Sequence, residues 1–332
     1  MKKNRINSDV LRKSKYDTEI VIEPKEDVQV EVKTGEHGEL IIRTFPIETN
    51  YEYHRKDFAL YKNPPTPPGY KYKCAEWNEG IVFEREYDKS EIVWVPAGAL
   101  KPNGTLDGVN FREKFGARPF GEIEFERGKY KDPDTHEFIS LIRSVKKYGG
   151  FFISRYEISI NAKTGLPQSV KGKKPLVNVD FDKAKELASS FEKNPYINSH
   201  LPYGAEIDSI AEWFIESGSK TYEEVVRNST SWGNYRQNAH STGELVQTGS
   251  REEYCVNNIY DFTGNATTWT QEKYDGVYHT MRGGNYSNPG TYFSAIRRTF
   301  EKSGNRSETN GFRVALYLKW FAFYAHHKKR LC

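Results

Sequence analysis

The chain has 332 residues, of which 36% are hydrophobic and 14% aromatic, and its formal net charge is +4. This length allows one large domain or two smaller ones, and the large aromatic side chains can fill a core despite the polar average. Lysine and arginine number 49 against 45 aspartates and glutamates, and so small a positive excess argues against a nucleic-acid partner.

The cysteines and the apolar runs bear on the cellular location. Cys74, Cys255 and Cys332 are odd in number and form no Cys-x-x-Cys pair, which argues against a disulfide framework and against zinc. The N-terminus lacks the apolar run of a secretory signal, and the longest apolar stretch, residues 320–325, is too short for a bilayer. We therefore expect no membrane span, and a cytoplasmic or a virion- or surface-associated location without a classical signal peptide.

The N-terminal part of the chain is predicted to lie outside the main domain. Val28, Val30 and Val32 alternate before a Gly-Glu-His-Gly turn and a second apolar run, which predicts a β-hairpin. The proline-rich residues 63–69 predict a stiff linker. The chain is thus divided into four predicted parts: a disordered N-terminus (1–18), a β-hairpin region with the linker (19–70), the main domain (71–319), and an aromatic and basic tail (320–332).

Two helices are predicted in the main domain. The first spans residues 181–191 after a capping Asp180, and the second spans residues 205–216 before Gly218; both carry apolar residues three or four apart. Residues 100–148 are polar and glycine-rich, which predicts irregular structure. After residue 228 long loops are expected, and such loops are usually functional. Short apolar runs predict strands at 80–83, 92–98, 149–157 and 311–318.

Seven short segments follow one another in a distinctive order. They are Ile-Val-Trp-Val-Pro-Ala-Gly (92–98), Phe-Phe-Ile-Ser-Arg-Tyr-Glu (151–157), Pro-Leu-Val-Asn-Val (175–179), Leu-Pro-Tyr-Gly-Ala-Glu (201–206), Asn-Ile-Tyr-Asp-Phe-Thr-Gly-Asn-Ala (258–266), Arg-Gly-Gly-Asn-Tyr (282–286) and Gly-Phe-Arg-Val-Ala (311–315). In this order they resemble the formylglycine-generating enzyme (sulfatase-modifying factor) family over about residues 76–319. The resemblance implies an α+β, C-type-lectin-like fold with low regular secondary structure, two helices and small twisted antiparallel sheets, here preceded by a short β-rich N-terminal region.

The resemblance implies redox chemistry that the residues of this chain do not support. The oxidases of the family use two cysteines that bind copper, and Asn288 and Phe293 occupy the matching positions. No cysteine lies between Cys255 and Cys332, and no histidine cluster for iron occurs. We therefore expect no copper and assign no catalytic residue.

The resemblance also implies a calcium site around the Gly-Asn-Ala segment, where Asp261, Gly264 and Ala266 match the first ligand positions. The position of the charged glutamate ligand is occupied by Thr268. Loss of that charge weakens the predicted site, so a metal-free structural loop is favoured over a calcium site, and both interpretations stay open.

The loop after Arg282 is rich in tyrosine, serine and asparagine, which are residue types of adaptable recognition surfaces. The codons of these residues are also the ones that adenine-directed mutagenesis interchanges. Arg282, Arg297 and Arg313 are expected to hold loops through backbone carbonyls. The alternative is ordinary loop residues on a catalytically inactive scaffold, with Trp232 buried. The candidate ligand contacts are Asn285, Tyr286, Ser287, Asn288, Tyr292, Phe293, Ser294 and Trp232.

These residues lead to three functional hypotheses. The first is a non-catalytic protein that binds a protein or glycan ligand, such as a variable protein of a diversity-generating retroelement or a phage-associated receptor binder. The second is a formylglycine-generating oxidase that acts on a protein cysteine. The third is a structural module that docks to an assembly through residues 1–70.

Overall fold

A computed structural model describes residues 64–75, 79–97 and 130–319, together with the backbone of residues 28–34 and 40–46. The chain divides into two compact units. In the first unit, β1 (Val28–Thr34) pairs with antiparallel β2 (Leu40–Pro46), so the predicted hairpin forms. The predicted disorder of residues 1–18 and the predicted tail 320–332 lie outside the described residues.

The second unit contains four helices and fourteen strands within its described residues. Their bounds are β3 (Tyr70–Cys74), β4 (Val82–Arg85), β5 (Glu91–Pro96), α1 (His136–Tyr148), β6 (Gly150–Ser154), β7 (Ser159–Ile160), β8 (Pro167–Gln168), α2 (Phe181–Ser190), β9 (Ile197–His200), α3 (Gly204–Glu216), α4 (Tyr222–Val226), β10 (Cys255–Val256), β11 (Ile259–Tyr260), β12 (Thr267–Asp275), β13 (Tyr278–Arg282), β14 (Arg298–Lys302), β15 (Asn310–Gly311) and β16 (Ala315–Leu318).

A six-stranded antiparallel sheet in the order β3-β4-β5-β6-β16-β9 runs through the core. Side chains alternate between its two faces. Val93 and Val95 therefore pack with α1 and α3 on one face, whereas Ile92 and Trp94 pack with α2 on the other. Because both faces are covered, β5 consists of a continuous apolar run, as the sequence suggested.

A second sheet, in the order β14-β13-β12-β15, carries the tyrosine-rich loop at the end of β13. Its first three strands are antiparallel, and β15 joins β12 in parallel over a short pairing. The predicted fold class, α+β with small antiparallel sheets, is confirmed. The two predicted helices are also present, as α2 with its Asp180 cap and as α3.

The prediction of irregular structure up to residue 148 is wrong at its C-terminal end, where α1 forms. Thr135 caps its first turn by accepting a hydrogen bond from the Phe138 amide, and Gly149 ends it in the left-handed conformation with φ of 87°. Phe138, Leu141 and Val145 are spaced for one helical face and are buried. The short α4 was not predicted either.

A buried ion pair fixes the start of α3. His200 Nε2 lies 2.9 Å from Glu206 Oε2, and both side chains are fully enclosed. Burial alone lowers the pKa of His200, but the Glu206 carboxylate, helped by Glu137, raises it above the usual value. A protonated His200 thus stabilises the folded state.

Because the folded pKa of His200 is raised, this stabilisation is complete below about pH 6.5 and is lost as pH rises through the folded pKa. We expect His200→Gln to flatten the fall in the free energy of unfolding above neutral pH, by up to about 1.4 kcal/mol per pH unit. Denaturant titrations across pH would measure this change. His240→Gln, at an exposed histidine, is the control. Equal slopes in the wild type and His200→Gln would contradict the assignment.

Candidate ligand-binding surface

The tyrosine-rich loop begins and ends at buried arginines. Arg282, the last residue of β13, donates a hydrogen bond from Nη2 to Asp208 Oδ1 at 2.6 Å. Arg298, the first residue of β14, contacts the other oxygen of Asp208 and lies 3.0 Å from Glu272 Oε1. The two ends of the loop are therefore anchored to one carboxylate on α3.

Two glycines allow the turn that follows Arg282. Gly283 and Gly284 have φ of 86° and 62°, in the left-handed region that favours glycine. A Cβ at Gly284 would come within 2.8 Å of Phe293 Cβ, so the two sides of the loop touch there. The Arg-Gly-Gly sequence is thus a backbone requirement of the loop.

Asn285 holds the loop from inside. Its Nδ2 donates to Thr267 Oγ1 at 3.0 Å, and its Oδ1 accepts from both the amide and the hydroxyl of Ser287. Asn288 Oδ1 in turn accepts from the Asn285 amide at 3.0 Å. The loop conformation is therefore maintained by its own asparagines.

A second loop, residues 229–243, packs beneath the first. The Ser229 amide donates to the carbonyl of Gly290 at 3.1 Å, and the Arg236 amide donates to the carbonyl of Asn288 at 3.2 Å. The buried Tyr235 hydroxyl lies within hydrogen-bond distance of the carbonyl oxygens of Gly283 and Phe293, and its one proton can be donated to either. Hence the two loops form one supported structure.

The eight predicted ligand contacts fall into two groups. Trp232, Asn285 and Ser294 are only 2%, 8% and 4% exposed, so these three predictions need correction. Trp232 packs edge-to-face on Phe214, and Ser294 Oγ donates to the carbonyl of Val226. The other five side chains are at least partly exposed: Tyr286, Ser287, Asn288, Tyr292 and Phe293. We call these five residues the contact surface.

Copper does not fit the residues that occupy the family's cysteine positions. Asn288 uses its side-chain oxygen within the loop, and the Phe293 ring packs on Tyr292 at 4.9 Å. Of the cysteines, Cys74 and Cys255 lie in the described part, and burial raises the pKa of the Cys255 thiol to about 11. Across the described residues, no three His, Cys, Asp or Glu side chains are grouped to hold a metal ion.

Calcium fits the Gly-Asn-Ala loop poorly. Asp261 is buried, and its Oδ2 accepts from the Gly249 amide at 2.8 Å, which leaves Oδ1 as its one oxygen without a partner in the described structure. Burial raises the pKa of both the Asp261 and Glu157 carboxyls, and the buried Arg313 guanidinium partly offsets this. Calcium takes six to eight oxygens, and its affinity depends on ligand charge. Here Thr268 adds no negative charge, and the Arg313 guanidinium already supplies positive charge to the Asp261 and Glu157 carboxyls.

We therefore expect calcium in excess, or its removal by a chelator, to leave the Tm unchanged. A ligand that binds only the folded state raises stability by mass action, so a tight calcium site would raise the Tm. Thermal melts of the full chain would measure this, with Asp261→Asn as the comparison. A calcium-dependent rise in Tm that disappears in Asp261→Asn would restore the calcium site.

The three arginines of this region differ in their roles. Arg313 donates to the carbonyls of Ser154 and Tyr260, as expected. Arg282 pairs with a carboxylate instead. Arg297 has neither a hydrogen bond to a backbone carbonyl nor an ion pair with a carboxylate among the described residues. Its guanidinium lies over the Tyr292 ring, 5.2 Å from the ring centre. Sequence reasoning did not single out Arg297 as part of the surface.

Residues 78–318 match the sequence model of the FGE-sulfatase family, described as a sulfatase-modifying factor enzyme 1-like domain. The match covers well over half of the chain, so the chain belongs to this family, as the resemblance over residues 76–319 predicted. No curated protein matches the chain in sequence. No helix in the described ranges has both the length and the apolar character needed to cross a membrane.

Solved structures with partial similarity include three of low sequence identity. Treponema denticola variable protein 1 is 16% identical, with 50% of this chain and 84% of that chain covered and a TM-score of 0.36. CarF is 17% identical, with coverage of 51% and 86% and a TM-score of 0.41. PvdO from Pseudomonas aeruginosa is 18% identical, with coverage of 71% and 98% and a TM-score of 0.42. The family assignment rests on the sequence match.

Proposed function

We propose that this chain is a non-catalytic ligand-binding protein and that the contact surface binds the ligand. The observation that carries the proposal is that the buried and the exposed residues of the loop after β13 have separate roles. Its buried residues hold the backbone, while Tyr292 is 61% exposed and Ser287 faces solvent. The accessible side chains could therefore contact a ligand without any change in the loop backbone that the buried residues hold.

The chemistry of the contact surface suits recognition. Tyrosine and phenylalanine supply large, rigid contact areas with few rotatable bonds, and serine and asparagine supply hydrogen bonds. Because the backbone is already fixed by Asn285 and Tyr235, little ordering entropy is lost on binding. A preorganised loop of this kind supports affinity without a catalytic group.

The test applies the full chain to a glycan array and to a displayed library of short random peptides. We expect specific binding that is lost in the double variant Ser287→Ala/Tyr292→Ala. Tyr87→Ala, at a tyrosine that is 64% exposed outside the two loops, is the matched control and should bind normally. Binding that is equal in the double variant would contradict the assignment of the surface.

A direct assay separates this proposal from the oxidase hypothesis. We expect no conversion of the cysteine in a Cys-x-Pro-x-Arg peptide when the chain is supplied with copper, because no thiolate pair occupies positions 288 and 293. Mass spectrometry of the peptide, with a competent enzyme as positive control, would measure the outcome. Formation of formylglycine by this chain would overturn the proposal.

A narrower form of the proposal is a variable protein that a retroelement diversifies. It is supported by the concentration of asparagine, tyrosine and serine in the loop after Arg282. DNA sequencing around the gene would test it. A near-copy of the segment encoding residues 282–316, differing mainly at adenines and lying beside a reverse transcriptase, is the expected result. Its absence would leave a fixed binding protein.

A further inference from the structure

The loop that carries the contact surface and the second loop that packs against it contain no acidic residue. Neither residues 229–243 nor residues 283–300 include an aspartate or glutamate, although acidic residues nearly equal basic ones in the whole chain. Both loops carry arginine. Arg236 adjoins the surface through its amide bond to the carbonyl of Asn288, and its side chain is exposed.

Arg297 has no polar side-chain partner among the described residues, although it lies next to the buried Arg298. Within the described residues, no carboxylate lies within ion-pair distance, and its buried Nε has no hydrogen-bond acceptor. By contrast, Arg282 and Arg298 are paired with Asp208. Its terminal guanidinium nitrogens also have no hydrogen-bond partner among the described residues and, unlike Nε, they are not enclosed, so they can bind a group from outside the chain.

The position of Arg297 suits the binding of a carboxylate. A guanidinium that lies over an aromatic ring is oriented by the stacking, and its planar fork of N–H groups matches the two oxygens of a carboxylate. Tyr292, which the guanidinium covers, is also the most exposed aromatic of the contact surface. An acidic group and an adjacent apolar group could therefore be bound side by side.

We propose that the contact surface recognises a peptide segment in which an aspartate or glutamate, bound by Arg297, stands beside an aromatic or aliphatic residue packed on Tyr292. This inference rests on the proposed binding function of the same surface. Nucleic acid is a poorer fit, because its affinity comes from many phosphate contacts, and of the three arginines in these loops Arg298 is already paired with Asp208. Arg236 is positioned to strengthen the attraction for the acidic segment.

The experiment pans the full chain against the displayed peptide library and then measures affinities of the recovered peptides as synthetic copies. We expect enrichment of aspartate and glutamate and at least about a tenfold loss of affinity in Arg297→Gln, the usual loss for a hydrogen bond to a charged group. Arg297→Lys keeps the charge without the fork and should bind with intermediate affinity. Arg306→Gln, at an exposed arginine outside both loops, is the control. Thermal melts would verify that each variant is folded.

The outcomes separate the inference from the proposed function. One outcome would overturn the inference and leave the proposed function intact. In that outcome the recovered peptides carry no acidic residue, fail to bind Ser287→Ala/Tyr292→Ala, and bind Arg297→Gln normally. Peptides whose binding the double variant leaves unchanged would overturn both. Recovery of glycan ligands alone, or of no ligand, would also overturn the inference of an acidic peptide.

Discussion

Asp208→Asn is expected to lower the free energy of unfolding by about 3–5 kcal/mol, the usual cost of removing one partner from a buried ion pair. The carboxylate of Asp208 contacts Arg282 through one oxygen and Arg298 through the other, and all three side chains are buried. Asparagine keeps the shape but removes the charge. Two guanidinium groups would then share the single carboxylate of Glu272.

Denaturant unfolding of the wild type and of Asp208→Asn would measure this loss in the free energy of unfolding. Asp134→Asn is the matched control. Asp134 is exposed, and its carboxylate lies 4.0 Å from Lys131 Nζ, so its substitution should change stability by less than about 1 kcal/mol. Since Asp208 anchors both ends of the loop, the variant should also lose ligand binding. A loss of stability no larger than that of Asp134→Asn would show that the pair is not a structural anchor.

The fold could be predicted because its signals are local and ordered. The apolar run of β5, the capped helix at Asp180 and the Arg-Gly-Gly turn are each short patterns, and their order defines the family. Helix α1 carries equally local signals in Thr135, the spacing of its apolar residues and Gly149. Its signals are hidden because the exposed face is strongly polar and the preceding region has no periodicity.

The site could be predicted only as a region. Composition marked the loop after Arg282 as a recognition surface, but it cannot separate exposed side chains from buried ones, because tyrosine, serine and asparagine serve both roles. The Asn-x-x-Asn spacing of Asn285 and Asn288 is a signal that such residues bond within their own loop. The unpaired state of Arg297 depends on which groups the fold brings near it, and no local pattern encodes that.

The separation of the loop after Arg282 into buried and exposed residues has a physical reason that the sequence alone does not reveal. In the proposed binding loop the outer residues are left to contact the ligand, so the inner residues have to supply nearly all of the stability. Here the buried Trp232 and Tyr235 and the two anchoring arginines are the inner residues, and we expect the outer tyrosines to contribute little to folding. Substitutions on the two sides of the loop should therefore have very different effects.

We expect Trp232→Ala to lower the free energy of unfolding by about 3–5 kcal/mol, as for other large aromatic side chains removed from a core. Trp232 packs edge-to-face on Phe214, and its Nε1 donates to the carbonyl of Glu224 at 3.3 Å. The matched variant Tyr292→Ala removes an exposed aromatic and should cost about 0.5 kcal/mol or less.

Ligand binding should show the opposite order when both variants are measured at a temperature where Trp232→Ala remains folded. Tyr292→Ala removes contact area directly, whereas Trp232→Ala acts only through the support of the loop. Circular dichroism melts and binding to the recovered peptides would give the two quantities for each variant. Equal stability losses would mean that Tyr292 belongs to the core and that the contact surface is wrongly placed, because an exposed side chain has little packing to lose.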